Sequence, residues 1–320
     1  MTKILLISRD PGATNQLVAL HHILTGPDCE NRKALFARLG LTSCPDIIVI
    51  AKDYAGDIWR QNGTCAEQWP GIALEQEIGD YLESKNPGQI ITGTCHVDDR
   101  TEQAIWRSAR RLGIATTAFL DAVHNIDLRF RDKGGAVVLP DRVSLIDGSA
   151  VSKMRSLGLP EQAIFVSGDL YLDYSRVRAR GHRRRADGPI LFASDYIREM
   201  QAMGLVFEVN EFDCLDCLID LVKSGRISEY ISDMRPPCHL IIRPHPKDTA
   251  GKYDSYPALS DKNITIRVGK DGSATEAILS SCLVAGLGSA LLVEARALGV
   301  AVLELGPIVR RRKDRGKTVS

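Results

Sequence analysis

Short apolar runs alternate with segments of helical spacing along almost the whole chain. In the first half, residues 3–8, 46–51, 89–92, 115–120, 142–147 and 163–168 are short, largely apolar segments, too short for helices, and they read as strands. Between them, Leu17, Leu20, Ile23 and Leu24, residues 72–82, the set Ala104, Ile105, Ala109 and Leu112, and residues 151–157 recur at helical spacing. The second half repeats the scheme. Strands are expected at 189–194, 240–243, 264–268, 282–285 and 300–305, and helices at 212–222, 274–280 and through Leu291, Leu292, Ala295 and Leu298. Strand and helix in regular alternation predict the α/β class, each half building its own parallel sheet. The expected division is an N-terminal domain over 1–175, an Arg-rich linker over 176–188, a C-terminal domain over 189–307 and a mobile basic tail over 308–320.

The stretch from Ser281 to Leu305 carries the most chemical information. An apolar strand ends at Gly286, and Ser289 then stands as a plausible N-cap for the helix that Gly299 closes. Gly286 and Gly288 would let a ligand approach the backbone, and the free N–H groups of the first helical turn suit an anion. Glu294 follows about one and a half turns into the helix, within reach of a hydroxyl beside a bound phosphate. Any βαβ unit needs a glycine turn and a capped helix, so the pattern alone also suits plain scaffold. Upstream, Arg243-Pro-His245-Pro-Lys247 ends an apolar strand with three side chains that can be cationic, held extended by two prolines. Strand carboxyl ends are where open α/β sheets bind ligands.

The order Arg-Pro-His-Pro-Lys, some thirty-five residues, then Gly-x-Gly-Ser-Ala-x-x-x-x-Glu-Ala-x-x-x-Gly-Val resembles the nucleotide-sugar-binding half of GT-B-type proteins. These include glycosyltransferases, UDP-N-acetylglucosamine 2-epimerases and capsule-polysaccharide transferases. The motifs cover residues 189–307, and the N-terminal half resembles the group by arrangement. The resemblance implies two Rossmann-like domains with parallel sheets facing a cleft. It also implies an enzyme that transfers a sugar from a nucleotide-activated donor to an acceptor. Gly288, Ser289 and Ala290 would contact the diphosphate, Glu294 the ribose, and Arg243, His245 and Lys247 the phosphate charge or sugar. Asp10, Gly12 and Asn15, in the loop expected after the first strand, are placed by position on the acceptor side.

The first half gathers His96, Asp98, Asp99, Asp121, His124 and Arg129 at two strand ends. Such ends converge in parallel sheets, so Asp98, Asp99, Asp121 and His124 are candidates for the base that takes the acceptor's proton. Asp98 or Asp99 could equally cap the helix that follows. A 2-epimerase on the same fold and a binding protein without turnover are the competing readings.

Composition narrows the classes. The 320 residues are 44% hydrophobic and 25% charged with a net charge of +1, the balance of a globular protein with no general pull toward nucleic acid. The run from 176 to 185 is arginine-rich but without interleaved aromatics, and it reads as a solvated hinge. No signal peptide and no apolar run of ~20 residues is evident, so a cytoplasmic protein is expected. Eight scattered cysteines are then expected to be reduced, and Cys214-x-x-Cys217, without a second pair, is not a zinc pattern. No cofactor or metal is called for. The nucleotide sugar is a substrate.

Overall fold

The computed structural model describes residues 2–95, 99–123, 125–182, 187–231, 234, 236–270 and 272–317. The chain divides into two compact units, Met1–Tyr174 and Ser175–Ser320. Each is built on a fully parallel sheet.

The first unit contains strands β1 (Lys3–Ser8), β2 (Asp46–Ala51), β3 (Glu67–Gln68), β4 (Gln89–Thr92), β5 (Ala115–Phe119), β6 (Arg142–Leu145) and β7 (Ile164–Val166). Their spatial order is β3-β2-β1-β4-β5-β6-β7. The helices of this half are α1 (Pro11–Thr25), α2 (Glu30–Leu39), α3 (Ala55–Gln61), α4 (Glu75–Lys85), α5 (Thr101–Leu112), α6 (Ile126–Arg129), α7 (Val151–Ser156) and α8 (Leu170–Arg178). β1 shows why the strands read as unbroken apolar runs. Its Leu5 and Ile7 pack with Trp106 and Phe130, while Ile4 and Leu6 point to the other face and pack with Leu17, Leu20 and Trp59. Both faces are covered, so neither set of alternating positions can be polar.

The second unit contains β8 (Ile190–Ala193), β9 (Cys238–Arg243), β10 (Ile264–Val268), β11 (Leu283–Gly286) and β12 (Ala301–Glu304), in the order β10-β9-β8-β11-β12. Its helices are α9 (Ile197–Ala202), α10 (Glu211–Lys223), α11 (Ala274–Leu279), α12 (Ala290–Ala297) and α13 (Gly306–Lys317). Ile190, Phe192, Leu240 and Ile242 bury one face with Cys214 and Leu218 of α10, and Leu191, Ala193 and Val284 bury the other with Ile278 and Ala295. Cys214 and Cys217 are core residues of α10.

Three expectations change. Residues 11–16, expected as a loop, form the first turns of α1, because Pro11 sits at the helix start, where its fixed φ fits and no N–H is missed. Arg176 to Arg178, expected as linker, continue α8. The expected basic tail is helical through Lys317, because Ile308 and Val309 reach into the core of the second unit and anchor α13. No helix among the described residues is long and apolar enough to cross a membrane.

Glycines set two close approaches that matter for the sites. A Cβ on Gly93, after β4, would lie 2.5 Å from the Ala13 Cβ, so α1 can sit down on the end of β4 only because position 93 has no side chain. A Cβ on Gly286 would lie 2.7 Å from the Ala193 carbonyl oxygen. Gly286 therefore serves the pairing of β11 with β8, whereas a Cβ on Gly288 would meet nothing within 4 Å.

Candidate functional site

Each sheet reverses its strand order beside its first strand, and such switch points leave a crevice at the carboxyl ends. In the first unit the reversal lies between β1 and β4, in the second between β8 and β11. Both crevices are lined by charged residues.

At the end of β1, Arg9 donates from Nε to Asp53 at 2.7 Å and from Nη1 to Asp10 at 3.0 Å, and its Nε lies 3.3 Å from Asp99. Lys52, at the end of β2, donates to Asp99 at 2.5 Å and to the Thr101 hydroxyl at 2.6 Å. Asp99 also accepts the N–H of Thr101, the first residue of α5, at 2.7 Å, although the N-cap position itself is Arg100. Burial raises its pKa, but the bonds from Lys52 and Thr101 outweigh that and hold it below the usual carboxylate range. An acid so held is a poor proton acceptor. Asp99 is thus an anchor for two cations and for the first residue of α5, without being its N-cap.

Asp121, after β5, accepts from Arg129 Nη1 at 2.6 Å, and the same nitrogen donates to Thr94 at 2.7 Å. Its other oxygen lies against Gly12 in the first turn of α1, where a Cβ would come within 2.1 Å of it. Asp10 and Gly12 are thereby brought into this crevice, and Asn15 lies one turn further along α1, half-buried. Asp98 and His124, like His96, lie outside the described residues.

Sequence reading passed over the most unusual acid of this unit. Glu102, on the first turn of α5, is 4% exposed, accepts the Cys95 thiol hydrogen at 2.8 Å through Oε1, and has no partner for Oε2. Burial raises its pKa to about 7, aided by the charges of Asp99 and Asp10 and opposed by the Cys95 bond. An acid early in a helix ordinarily signals a favourable interaction with the helix dipole, and nothing in the sequence marks this one as buried.

In the second unit the Arg243–Asp248 segment leaves the end of β9. Arg243 donates to the Gly272 carbonyl at 3.0 Å. His245 Nδ1 accepts the Lys247 N–H at 3.1 Å, and its ring lies 5.8 Å from that of Tyr196. Burial, then Lys247, Lys252 and Lys270, push its pKa down to about 4. His245 is therefore not the third cation that the motif suggested. At neutral pH it is an uncharged imidazole whose Nδ1 accepts, so the ring proton sits on Nε2 as a donor. The segment is fixed from below by Asp248, which accepts the His245 N–H at 2.7 Å and the Ser194 hydroxyl at 3.0 Å. Lys252 in turn donates to Asp248 at 2.7 Å, Glu211 at 2.5 Å and Glu199 at 3.0 Å.

On the far side of β8, Ser289 caps α12 by accepting the Leu291 N–H at 3.3 Å, and Gly288 and Ala290 are exposed. The Gly288 N–H is directed at Asp195, just after β8, at 3.2 Å. β9 and β11 both neighbour β8, so their ends stand about 10 Å apart, two strand spacings. Glu294 is 2% exposed and accepts the Thr275 hydroxyl at 2.6 Å. Its replacement by alanine should cost about 1–3 kcal/mol of stability without any ligand, from a lost buried charge-assisted bond, as read by a urea melt. An unchanged melt would show that the bond contributes nothing.

Comparison with protein-family profiles gives no match, and neither does comparison with curated protein sequences. Solved structures do match. UDP-GlcNAc 2-epimerase from Methanocaldococcus jannaschii is 14% identical with a TM-score of 0.57, the match covering 94% of this chain and 82% of that one. UDP-N-acetylglucosamine 2-epimerase from Rickettsia bellii is 14% identical with a TM-score of 0.54 over 94% and 78%. Anabaena Alr3699/HepE, in complex with UDP-glucose, is 11% identical with a TM-score of 0.52 over 96% and 82%. Two parallel α/β sheets in one chain, matched over 94–96% of its length in these proteins, decide the architecture. The chain has the GT-B fold.

Within this GT-B chain the strand-end segments nominated from sequence lie at carboxyl ends of their sheets, but their chemistry is only partly what residue types suggested. Asp195, Glu102 and Lys252 were not singled out. Asp195 had a faint signal, since it follows a buried strand directly, the place where sheet ligands sit. Lys252 had none.

Proposed function

We propose that the protein uses a nucleotide sugar held by its second unit, and that it is a glycosyltransferase. The observation that carries the reading is the exposed Gly288 N–H at the second switch point, already engaged with a carboxylate and so suited to anionic oxygen. In this reading Gly288, Ser289 and Ala290 hold the diphosphate. Arg243 and Lys247 add positive charge, and the His245 Nε2–H donates to a phosphate or sugar oxygen. Charge growing on the departing diphosphate would be met by fixed N–H donors and cations, which requires no metal. Glu294 would take ribose hydroxyls by exchanging its Thr275 bond for them.

The first unit would supply the acceptor side, with Asp10, Gly12 and Asn15 near the acceptor. The proton would go to Asp121, Asp98 or His124, with Asp99 reserved for holding Lys52 and Arg9. That the matched structures include one with UDP-glucose and others of UDP-GlcNAc 2-epimerases supports uridine nucleotides as the first ligands to try.

The test is a thermal-shift series with UDP, CDP, GDP and ADP, UDP-glucose, UDP-N-acetylglucosamine and NAD. A ligand at 100 times its Kd should stabilise by about 2.7 kcal/mol, a shift of several degrees. Stabilisation by one nucleoside diphosphate and its sugar is the expected outcome, followed by release of the diphosphate only when a glycan acceptor is added. A shift with NAD alone, or with none, would sink the proposal. Conversion of the sugar nucleotide to an isomer without acceptor would instead make the protein an epimerase.

A further inference from the structure

The anion position at the Gly288 turn is not vacant of charge. Asp195 Oδ2 accepts the Gly288 N–H at 3.2 Å, the bond that the preceding reading gives to a phosphate. Resting on that reading, we infer that Asp195 determines what the turn accepts: it is an internal anion that a ligand must displace, so that binding of a diphosphate takes up a proton onto this carboxyl.

The surroundings explain why displacement should be linked to a proton. Asp195 is only partly exposed, and the charges around it are mainly of its own sign. Glu211 on α10 and Asp248 after β9 both raise its pKa, as does its burial, the largest cause, while the Gly288 and Leu287 N–H groups lower it; the balance leaves it at about 6. Cys214 on α10 faces it as a thiol kept protonated by burial and by Asp195 itself. The cation nearest this group of acids, Lys252, is already committed to Glu211, Asp248 and Glu199. An anionic oxygen arriving at Gly288 removes the two things that keep Asp195 ionised, its N–H donors and its distance from further negative charge. Neutralisation by one proton then leaves a carboxyl O–H that can donate to the incoming oxygen, turning a repulsion into a hydrogen bond.

The consequence is selective. A neutral ligand gains nothing at this turn from acid, and an anionic one gains affinity as pH falls. UDP-glucose is a suitable probe because its diphosphate carries no terminal phosphate monoester and so does not titrate near pH 6. Its affinity for the protein, measured calorimetrically, should rise about tenfold or more between pH 8 and pH 5.5, one unit or more of linked pKa. At pH 7 the heat should vary with the ionisation enthalpy of the buffer, reporting proton uptake. Asp195→Asn keeps an acceptor for Gly288 without the charge, and it should bind UDP-glucose at pH 8 as tightly as the parent does at pH 5.5, with no buffer dependence. Asp195→Ser should behave likewise if the Asn variant folds poorly.

Equal pH slopes in parent and variants would overturn the inference, and so would weaker binding by the variants at pH 8, which would make Asp195 a ligand contact. A sulfate series, reading stabilisation at both pH values, separates the two proposals. If UDP-glucose binds neither protein but sulfate stabilises the parent only at pH 5.5 and Asp195→Asn at both, the nucleotide reading fails and the role of Asp195 stands. If sulfate shows no such difference either, both fail.

Discussion

Lys252→Met is expected to lower stability by about 3–5 kcal/mol at pH 7, the scale seen when one partner of a buried ion cluster is removed. The Lys252 side chain is 5% exposed, and two of its three carboxylates, Glu211 and Asp248, are wholly buried. Burial works to lower the lysine pKa, but the bonds it donates to Asp248, Glu211 and Glu199 outweigh that and hold the amine well above its usual range. Without the ammonium, those acids keep their desolvation cost and lose their compensation. Acid should relieve part of that cost, because an uncompensated buried carboxylate loses its charge on protonation. The measurement is a pair of urea melts, at pH 7.5 and pH 5. A deficit that is small at pH 7.5, or that fails to shrink at pH 5, would show that Lys252 does not neutralise this cluster. Because Asp248 also holds the His245 backbone, the proposed donor binding predicts that the variant loses nucleotide affinity even where it remains folded.

Glu102→Gln should act in the opposite direction, stabilising the protein at alkaline pH. The Glu102 carboxyl has a pKa of about 7 in the folded chain against an ordinary 4.5, raised first by burial. The folded state therefore binds the proton more tightly than the unfolded state does. Its contribution is fully favourable below about pH 4.5 and is lost as pH rises through 7, after which the buried carboxylate costs on the order of 3 kcal/mol. Glutamine keeps the acceptor for the Cys95 thiol and carries no charge. Parent and variant should melt alike below about pH 4.5, diverge as pH rises to about 7, and stay apart by a near-constant margin to pH 8.5, with the variant higher. Parallel curves across that range would mean that Glu102 is solvated when ionised.

These effects mark where sequence reading stops. Of the twelve strands among the described residues, eleven coincide with the expected short runs, most of them because both faces are covered, while the edge strand β10 alternates buried Ile264 and Ile266 with exposed Thr265 and Arg267. β3, two residues long and exposed, left no such trace. α2 was invisible for a related reason, since only Leu35 and Leu39 of its ten residues are buried and its charged positions mask the period. Strand-end positions of functional interest follow from topology and could be named residue by residue. The state of those residues could not. His245 is neutral and Glu102 titrates near neutrality because of what covers them, and cover is a property of distant segments meeting. Arg129 illustrates the same limit, for its helix α6 is four residues long while its guanidinium joins Asp121 to Thr94 across the strand ends.

The strand order also governs how the molecule is made. In the first unit the central strand β1 finds both neighbours, β2 and β4, by Thr92, and the sheet is complete at Val166. In the second unit β8 emerges first and can pair with β9 early, but its other neighbour is β11, which follows only at Leu283. An apolar strand buried on both faces thus waits with one bare edge through most of the synthesis of its unit, the kind of surface on which nascent chains associate wrongly. Gly286, by letting β11 close against the Ala193 carbonyl, is where that exposure ends. A chain halted before it would carry a complete first sheet and, in the second unit, a β8 with one unpaired edge.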